Sequence, residues 1–133
     1  MSDTFKKRLT LKQKLRKREQ MFAGWVSYAH PSIFETFAMA GFDFMAIDME
    51  HSTISIEQAQ RLIAASQALG VPCLPRPVSH SNDWIKPLLE SGADGVIIQM
   101  VNNKTEFLSS LFFSKSLKKI LFGFIFLFLL YSV

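Results

Sequence analysis

The feature that most constrains this chain is a regular alternation, between residues 21 and 101, of short apolar runs and helix-like segments. The runs are predicted to be strands at Met21–Tyr28, Asp43–Asp48, Val71–Arg76 and Gly95–Val101, with helices at Ser32–Ala40, Ser55–Leu69 and Asn82–Glu90 between them. This succession predicts an α/β fold with a parallel sheet and right-handed crossovers. The rhythm alone does not separate a doubly wound sheet from a (β/α)8 barrel.

The ends of these helices carry local signals. Pro31 suits the first position of a helix, and Ser55 with Gln58 forms a capping box whose helix Gly70 closes. Pro87 is predicted to kink or restart the third helix. Two helix-to-strand junctions, AGFD at 40–43 and SGAD at 91–94, resemble each other and indicate a repeated βα unit.

Charge divides the chain into three segments. Residues 1–20 carry a net +6, residues 21–106 carry −5 and residues 107–133 carry +3, which sum to the formal net charge of +4. The basic leader is predicted to be a polar helix over residues 4–19, packed on one end of the barrel. Phe5 is its only aromatic residue, which argues against nucleic-acid binding. A transit peptide is a minor alternative.

Composition points to one globular domain in a reducing compartment. With 49% apolar and 20% charged residues among 133, disorder and collagen-like structure are excluded. Cys73 is the only cysteine and is predicted to be a buried core residue. Because no apolar signal peptide opens the sequence, a cytoplasmic location is expected.

The last 27 residues, 107–133, break the pattern. They hold seven of the thirteen phenylalanines and no charge after Lys119. The 14 uncharged residues would span roughly 21 Å as a helix, short of the ~30 Å hydrocarbon core. The favoured interpretation is truncation or a frameshift near Glu106. The alternative is a membrane attachment with Lys118 and Lys119 at the interface, which would make the chain a non-enzymatic barrel fragment.

Candidate chemistry lies at the ends of the second and third predicted strands. Asp48, Glu50 and His51 fall within four residues, and Asp48 is positioned to fix the tautomer of the His51 imidazole as a general base requires. An ordinary polar loop is the structural alternative. Arg76, held between Pro75 and Pro77, is a candidate anchor for a carboxylate or enolate, with a surface ion pair as its alternative.

Other catalytic motifs are missing from the sequence. The histidines His30, His51 and His80 lack zinc-type spacing, and no G-x-G-x-x-G, Walker A, C-x-x-C or G-x-S-x-G pattern occurs. Nucleotide binding and Ser or Cys nucleophilic hydrolysis therefore lack support.

The ordered set AGFDFMAIDMEH, VPCLPRP and IKPLLESGADGVIIQMV resembles the HpcH/HpaI family of metal-dependent, pyruvate-type aldolases. The likeness covers about residues 5 to 106. The family pattern has Gly at the position of Met49 and usually Pro at that of Gln99. The resemblance implies a (β/α)8 barrel, a homo-oligomer, and a carbon-carbon lyase that cleaves 4-hydroxy-2-oxo acids to pyruvate and an aldehyde.

The resemblance also implies roles for individual residues. His51 would be the base, acting through a metal-bound water and held by Asp48. Arg76 would steady the enolate oxygen, Trp25 would line the pocket, and Glu50 would belong to the outer hydrogen-bonding shell.

The divalent metal, Mg2+ or Mn2+, has no assignable ligand here, because the family's Glu and Asp ligands come from the fifth and sixth strands. A complete barrel needs about 250 residues. The sequence therefore predicts three segments, a leader (1–20), a partial barrel of about four strands (21–106) and an unrelated tail (107–133), and a chain that is inactive alone.

Overall fold

The computed structural model describes the backbone of residues 3–98 and 124–127 and the side chains of residues 5–98. In chain order the elements are α1 (Asp3–Lys17), β1 (Ala23–Val26), α2 (Pro31–Met39), β2 (Phe44–Asp48), α3 (Ile56–Leu69), β3 (Cys73–Arg76), α4 (Asn82–Glu90), β4 (Gly95–Ile98) and β5 (Phe124–Leu127). The predicted α/β succession is confirmed, with β1, β2 and β3 shorter than predicted.

The strands β1, β2 and β3 form a parallel sheet in that order. Each crossover between neighbouring strands contains one helix, as parallel pairing requires. All five residues of β2 are buried, because both faces of this central strand are covered.

Successive residues of β2 face opposite sides of the sheet. Met45 and Ile47 belong to the core cluster that contains buried residues of α2 and α3, whereas Phe44 and Ala46 belong to a second cluster that includes Leu11 of α1. Leu11 is only 5% exposed, so α1 packs against this face of the sheet. The second cluster also includes Leu74 and Ile97, with Leu15, Met21 and Ala23 at its border.

The helix ends largely follow the sequence signals. Ser55 and Gln58 form the complete capping box, and Gly70 ends α3 in the left-handed conformation with φ 67°. Pro31 is the first residue of α2. The predicted restart at Pro87 is wrong: α4 is one helix from Asn82 to Glu90. A proline removes a single intrahelical N–H donor, and this helix ends within three residues of it.

The two similar junctions build the same local structure. Gly41 and Gly92 have φ of 89° and 97°, and in each case the Asp two residues later exchanges two bonds with a preceding strand segment. The Asp43 N–H donates to the Phe22 carbonyl while the Phe22 N–H donates to Asp43 Oδ2, at 2.9 Å each. Asp94 and Cys73 make the equivalent pair of bonds, also at 2.9 Å each, which places β4 beside β3.

Helix α1 supplies a cation to each of these aspartates. Lys14 Nζ lies 2.5 Å from Asp43 Oδ1, and Arg8 Nε pairs with Asp94 Oδ1. The basic leader is thus tied to the amino ends of β2 and β4 through the repeated Gly-x-Asp junctions.

The two aspartates differ in how folding changes their ionisation. Burial opposes ionisation at both, but hydrogen bonds from Lys14 and the Phe22 N–H hold the pKa of Asp43 below its ordinary value of 3.8. At Asp94 the deeper burial prevails over the Cys73 N–H and Arg8 and raises the pKa. Asp43 therefore contributes stability above about pH 4 that is lost on acidification. Asp94, whose pKa is raised, contributes stability at low pH that is lost as the pH rises and the carboxyl group ionises.

We expect Asp43→Asn to lower the free energy of unfolding by about 1 kcal/mol at pH 7 and to cost less at pH 3. Asp94→Asn, on the equivalent turn, should cost less than Asp43→Asn at pH 7, because it removes a charge that burial disfavours. Urea unfolding midpoints at both pH values measure this. A larger loss at pH 7 for Asp94→Asn would contradict it.

Strand β5 pairs in parallel with β4, with Gly95 opposite Phe124. Apart from this backbone segment, the predictions for the tail at 107–133 lie outside the described residues, as does Gln99. Within the described ranges, no helix has both the length and the apolar character needed to cross a bilayer.

Candidate active site

Asp48 and Arg76 are the last residues of β2 and β3, and they are opposite each other in the parallel register. The carboxyl ends of parallel strands are where α/β proteins place their functional groups. Trp25 of β1 reaches the same place, since its indole Nε1 donates to Asp48 Oδ2 at 3.3 Å. Three neighbouring strands therefore each contribute one side chain to this cluster.

The Asp48 carboxylate accepts hydrogen bonds from five donors. Oδ1 accepts the backbone N–H groups of Glu50 and His51, both at 3.1 Å, and Arg76 Nε at 3.0 Å. Oδ2 accepts Arg76 Nη2 at 2.5 Å and the Trp25 indole. Burial opposes ionisation of Asp48, but these donors, Arg76 foremost, hold its pKa below the ordinary range.

The Arg76 side chain is 12% exposed, and that of Asp48 is 6% exposed. The guanidinium forms a two-point pair with the Asp48 carboxylate, and its central carbon lies 4.8 Å from the centroid of the Trp25 ring. A guanidinium has five N–H groups, and Asp48 engages one on Nε and one on Nη2. The fork is thus fixed in orientation while N–H groups remain for an anionic ligand.

The predicted contact between Asp48 and the His51 imidazole is wrong in its atoms. Asp48 holds His51 through the backbone N–H, and the carboxylate oxygens face Arg76 and Trp25 instead. The nearest acidic group to the imidazole is Glu50, whose Oε2 lies 3.8 Å from His51 Nε2. The spacing of three residues between Asp48 and His51 therefore reflects a backbone hydrogen bond within the turn. The side-chain partner of the Asp48 carboxylate is set instead by the pairing of β2 with β3.

The loop after β2 is further held by Ser52, which the sequence analysis did not single out. Its hydroxyl donates to the Asp48 carbonyl and accepts the Ile54 N–H at 3.1 Å. A serine two residues before a backbone N–H is a weak turn signal that sequence alone gives no reason to prefer. Met49, where the resembled family has Gly, is 1% exposed and packs in the main core. Its φ is not positive, so the larger side chain fits this loop without backbone strain.

The side chains described here do not fit a divalent-metal site. No group of three His, Cys, Asp or Glu residues converges among residues 5–98. Asp48 is paired with Arg76, and Glu50 Oε2 lies 3.4 Å from Arg76 Nε, so both nearby carboxylates face a cation already. Cys73 is buried in the core as predicted, and burial raises the pKa of its thiol.

The parallel βα units with a strand-end cluster define an α/β protein with a parallel sheet. Comparison with known proteins gives the family: the profile described as HpcH/HpaI aldolase/citrate lyase matches residues 21–112. The chain belongs to the HpcH/HpaI aldolase/citrate lyase family, which confirms the resemblance seen in the sequence.

Individual relatives agree. A hydroxypyruvate/pyruvate aldolase of Pseudomonas aeruginosa is 34% identical over 99 residues, covering 71% of this chain and 35% of the relative. A 2-keto-3-deoxy-L-rhamnonate aldolase of Escherichia coli is 32% identical over 91 residues, covering 68% and 34%. The chain thus spans about a third of the length of these curated relatives.

Among solved structures, an HpcH/HpaI aldolase/citrate lyase family protein from Burkholderia cenocepacia superimposes with a TM-score of 0.71 at 26% identity, covering 79% of this chain and 42% of that chain. The structural match supports an α/β fold of the partial-barrel type.

Proposed function

We propose that this chain carries the oxo-acid-binding and proton-transfer part of a pyruvate-type aldolase that cleaves 4-hydroxy-2-oxo acids to pyruvate and an aldehyde. The observation that carries the proposal is the Arg76 guanidinium, fixed by two bonds to Asp48 and by the Trp25 ring at the carboxyl end of the sheet. The names of the relatives, both aldolases, support the reaction class.

Each residue has a proposed role in cleavage. His51 removes the proton of the C4 hydroxyl, the C3–C4 bond breaks as the aldehyde carbonyl forms, and the bonding electrons become the enolate of pyruvate. Arg76 donates to the enolate oxygen, where the negative charge develops. The protonated His51 then returns this proton to C3, which gives pyruvate and restores the neutral imidazole. Trp25 forms a wall of the oxo-acid site, and Asp48 keeps the guanidinium in place.

Dependence on Mg2+ or Mn2+ is proposed from the family resemblance, with the ligands placed outside residues 5–98. The assignment follows from the positive charge of Arg76, which lies within ion-pair distance of both Asp48 and Glu50. A homo-oligomeric state and a cytoplasmic location stay predictions.

A split-enzyme assay tests the proposal. The 133-residue chain would be mixed with a separate polypeptide that carries the part of the Pseudomonas aeruginosa relative following its matched region, with Mg2+ or Mn2+ and a 4-hydroxy-2-oxo acid. We expect pyruvate release only when both polypeptides are present, and a fall of about 100-fold or more with His51→Ala, in line with loss of a general base.

The controls separate the two parts of this proposal. Glu57→Ala, which removes an exposed carboxylate on α3, should leave the rate unchanged. Release of pyruvate by the 133-residue chain alone would show that the site is complete without a partner. Equal rates for His51→Ala and the unchanged chain would show that His51 is not the base in this reaction.

A further inference from the structure

Two carboxylates, Asp48 and Glu50, shortly precede His51 in the sequence. In the structure they have different contacts. Asp48 already accepts five hydrogen bonds on its two oxygens. A carboxylate offers about four lone-pair positions, so Asp48 has no position left for an imidazole N–H. It anchors the backbone of His51 and leaves the ring to another partner.

Glu50 is that available partner. Its Oε2 is buried and makes no hydrogen bond within the described residues, although a buried acceptor without a donor is costly. Two cationic or N–H groups approach it: Arg76 Nε at 3.4 Å and His51 Nε2 at 3.8 Å. Because Arg76 Nε already donates to Asp48 at 3.0 Å, the unused donor beside this oxygen is the imidazole.

The two side chains differ in exposure. The His51 side chain is 68% exposed and that of Glu50 is 26% exposed, so the ring can turn while the carboxylate stays in place. A rotation of the imidazole that shortens the 3.8 Å separation by about 1 Å makes an ordinary N–H···O bond. The backbone N–H of His51, fixed on Asp48, keeps the residue within reach throughout.

We propose that Glu50 is the positioning residue for His51: its Oε2 accepts a hydrogen bond from Nε2–H and leaves Nδ1 as the bare, proton-accepting nitrogen. The charged and titratable groups facing the imidazole are Glu50 on the same loop and, through the shared carboxylate, Arg76 of β3. This inference rests on the proposed function in naming His51 the base, but the tautomer can be measured without any turnover.

Nitrogen-15 NMR of the histidine rings in the full 133-residue chain tests the proposal, at a pH where the rings are neutral. His30 is a built-in reference, because its Nδ1 accepts the Ser32 N–H at 3.3 Å and its proton must be on Nε2. We expect His51 to show the same pattern of a bare Nδ1 and a protonated Nε2.

Variants distinguish positioning from a general structural effect. Glu50→Ala should move the two His51 nitrogen shifts towards each other, and Glu50→Gln, which keeps an acceptor oxygen, should move them less. His30 should not change in either variant, and Glu57→Ala should change neither ring. A His51 ring protonated on Nδ1, or one unaffected by Glu50→Ala, would overturn the proposal.

The two proposals fail separately. Loss of the tautomer preference without loss of activity in the split-enzyme assay would overturn the role of Glu50 and keep His51 as the base. A fixed tautomer with no effect of His51→Ala on activity would do the opposite.

Discussion

Replacing Arg76 by alanine is expected to lower the free energy of unfolding by about 3 kcal/mol, the largest loss of stability we predict at the site. The variant leaves the Asp48 carboxylate, 6% exposed, without its cation. Three donors remain on that carboxylate, the N–H groups of Glu50 and His51 and the Trp25 indole, which keeps the loss at the lower end for a broken buried pair.

Urea unfolding at pH 7 measures this loss as a shift of the midpoint at unchanged slope. The matched control is Arg61→Ala, since Arg61 pairs with Glu57 on α3 with both side chains about two-thirds or more exposed. Such surface pairs are worth ~0.5 kcal/mol or less. Equal midpoints for the two variants would show that the Arg76–Asp48 pair does not hold the strand ends together.

Much of the fold could be predicted because it depends on local signals. The cap at Ser55, the left-handed Gly70 and the bounds of α4 at Asn82 and Glu90 all follow from residues within a few positions of one another. The repeated Gly-x-Asp junction was visible as a repeat. The ion pair between this junction and α1 could not be predicted, because Lys14 lies 29 residues from Asp43 in sequence.

The members of the strand-end cluster could be singled out from the sequence, whereas their contacts could not. Asp48, Arg76 and Trp25 were singled out, and the structure brings them together. The partner of the Asp48 carboxylate is set by the register of β2 against β3, across a separation of 28 residues. Sequence spacing favours a neighbour three residues away, whereas a buried carboxylate takes the donor that best offsets its desolvation.

The second large effect concerns ligand binding. Arg76→Lys keeps the positive charge but loses the planar fork, so it cannot pair with Asp48 at two points and still present oriented N–H groups to an anion. We expect the affinity for oxalate, a dianion that resembles the enolate of pyruvate, to fall at least about tenfold, equivalent to about 1.4 kcal/mol. Far-UV circular dichroism would verify that the variant keeps its secondary structure.

The chain contains two tryptophans, so the indole N–H signal of Trp25 can report on binding at the site and that of Trp84 can serve as a reference. The Trp25 indole N–H is bonded to Asp48 beside Arg76, whereas Trp84 packs against the main core cluster. In a titration of the 15N-labelled chain with oxalate, we predict saturable shifts of the Trp25 indole and the His51 backbone N–H signals. Arg76→Lys should weaken this binding, and the Trp84 indole signal should not shift. Unchanged Trp25 and His51 signals at saturating oxalate, or equal affinity for Arg76→Lys, would contradict an oxo-acid site at the joined ends of β2 and β3.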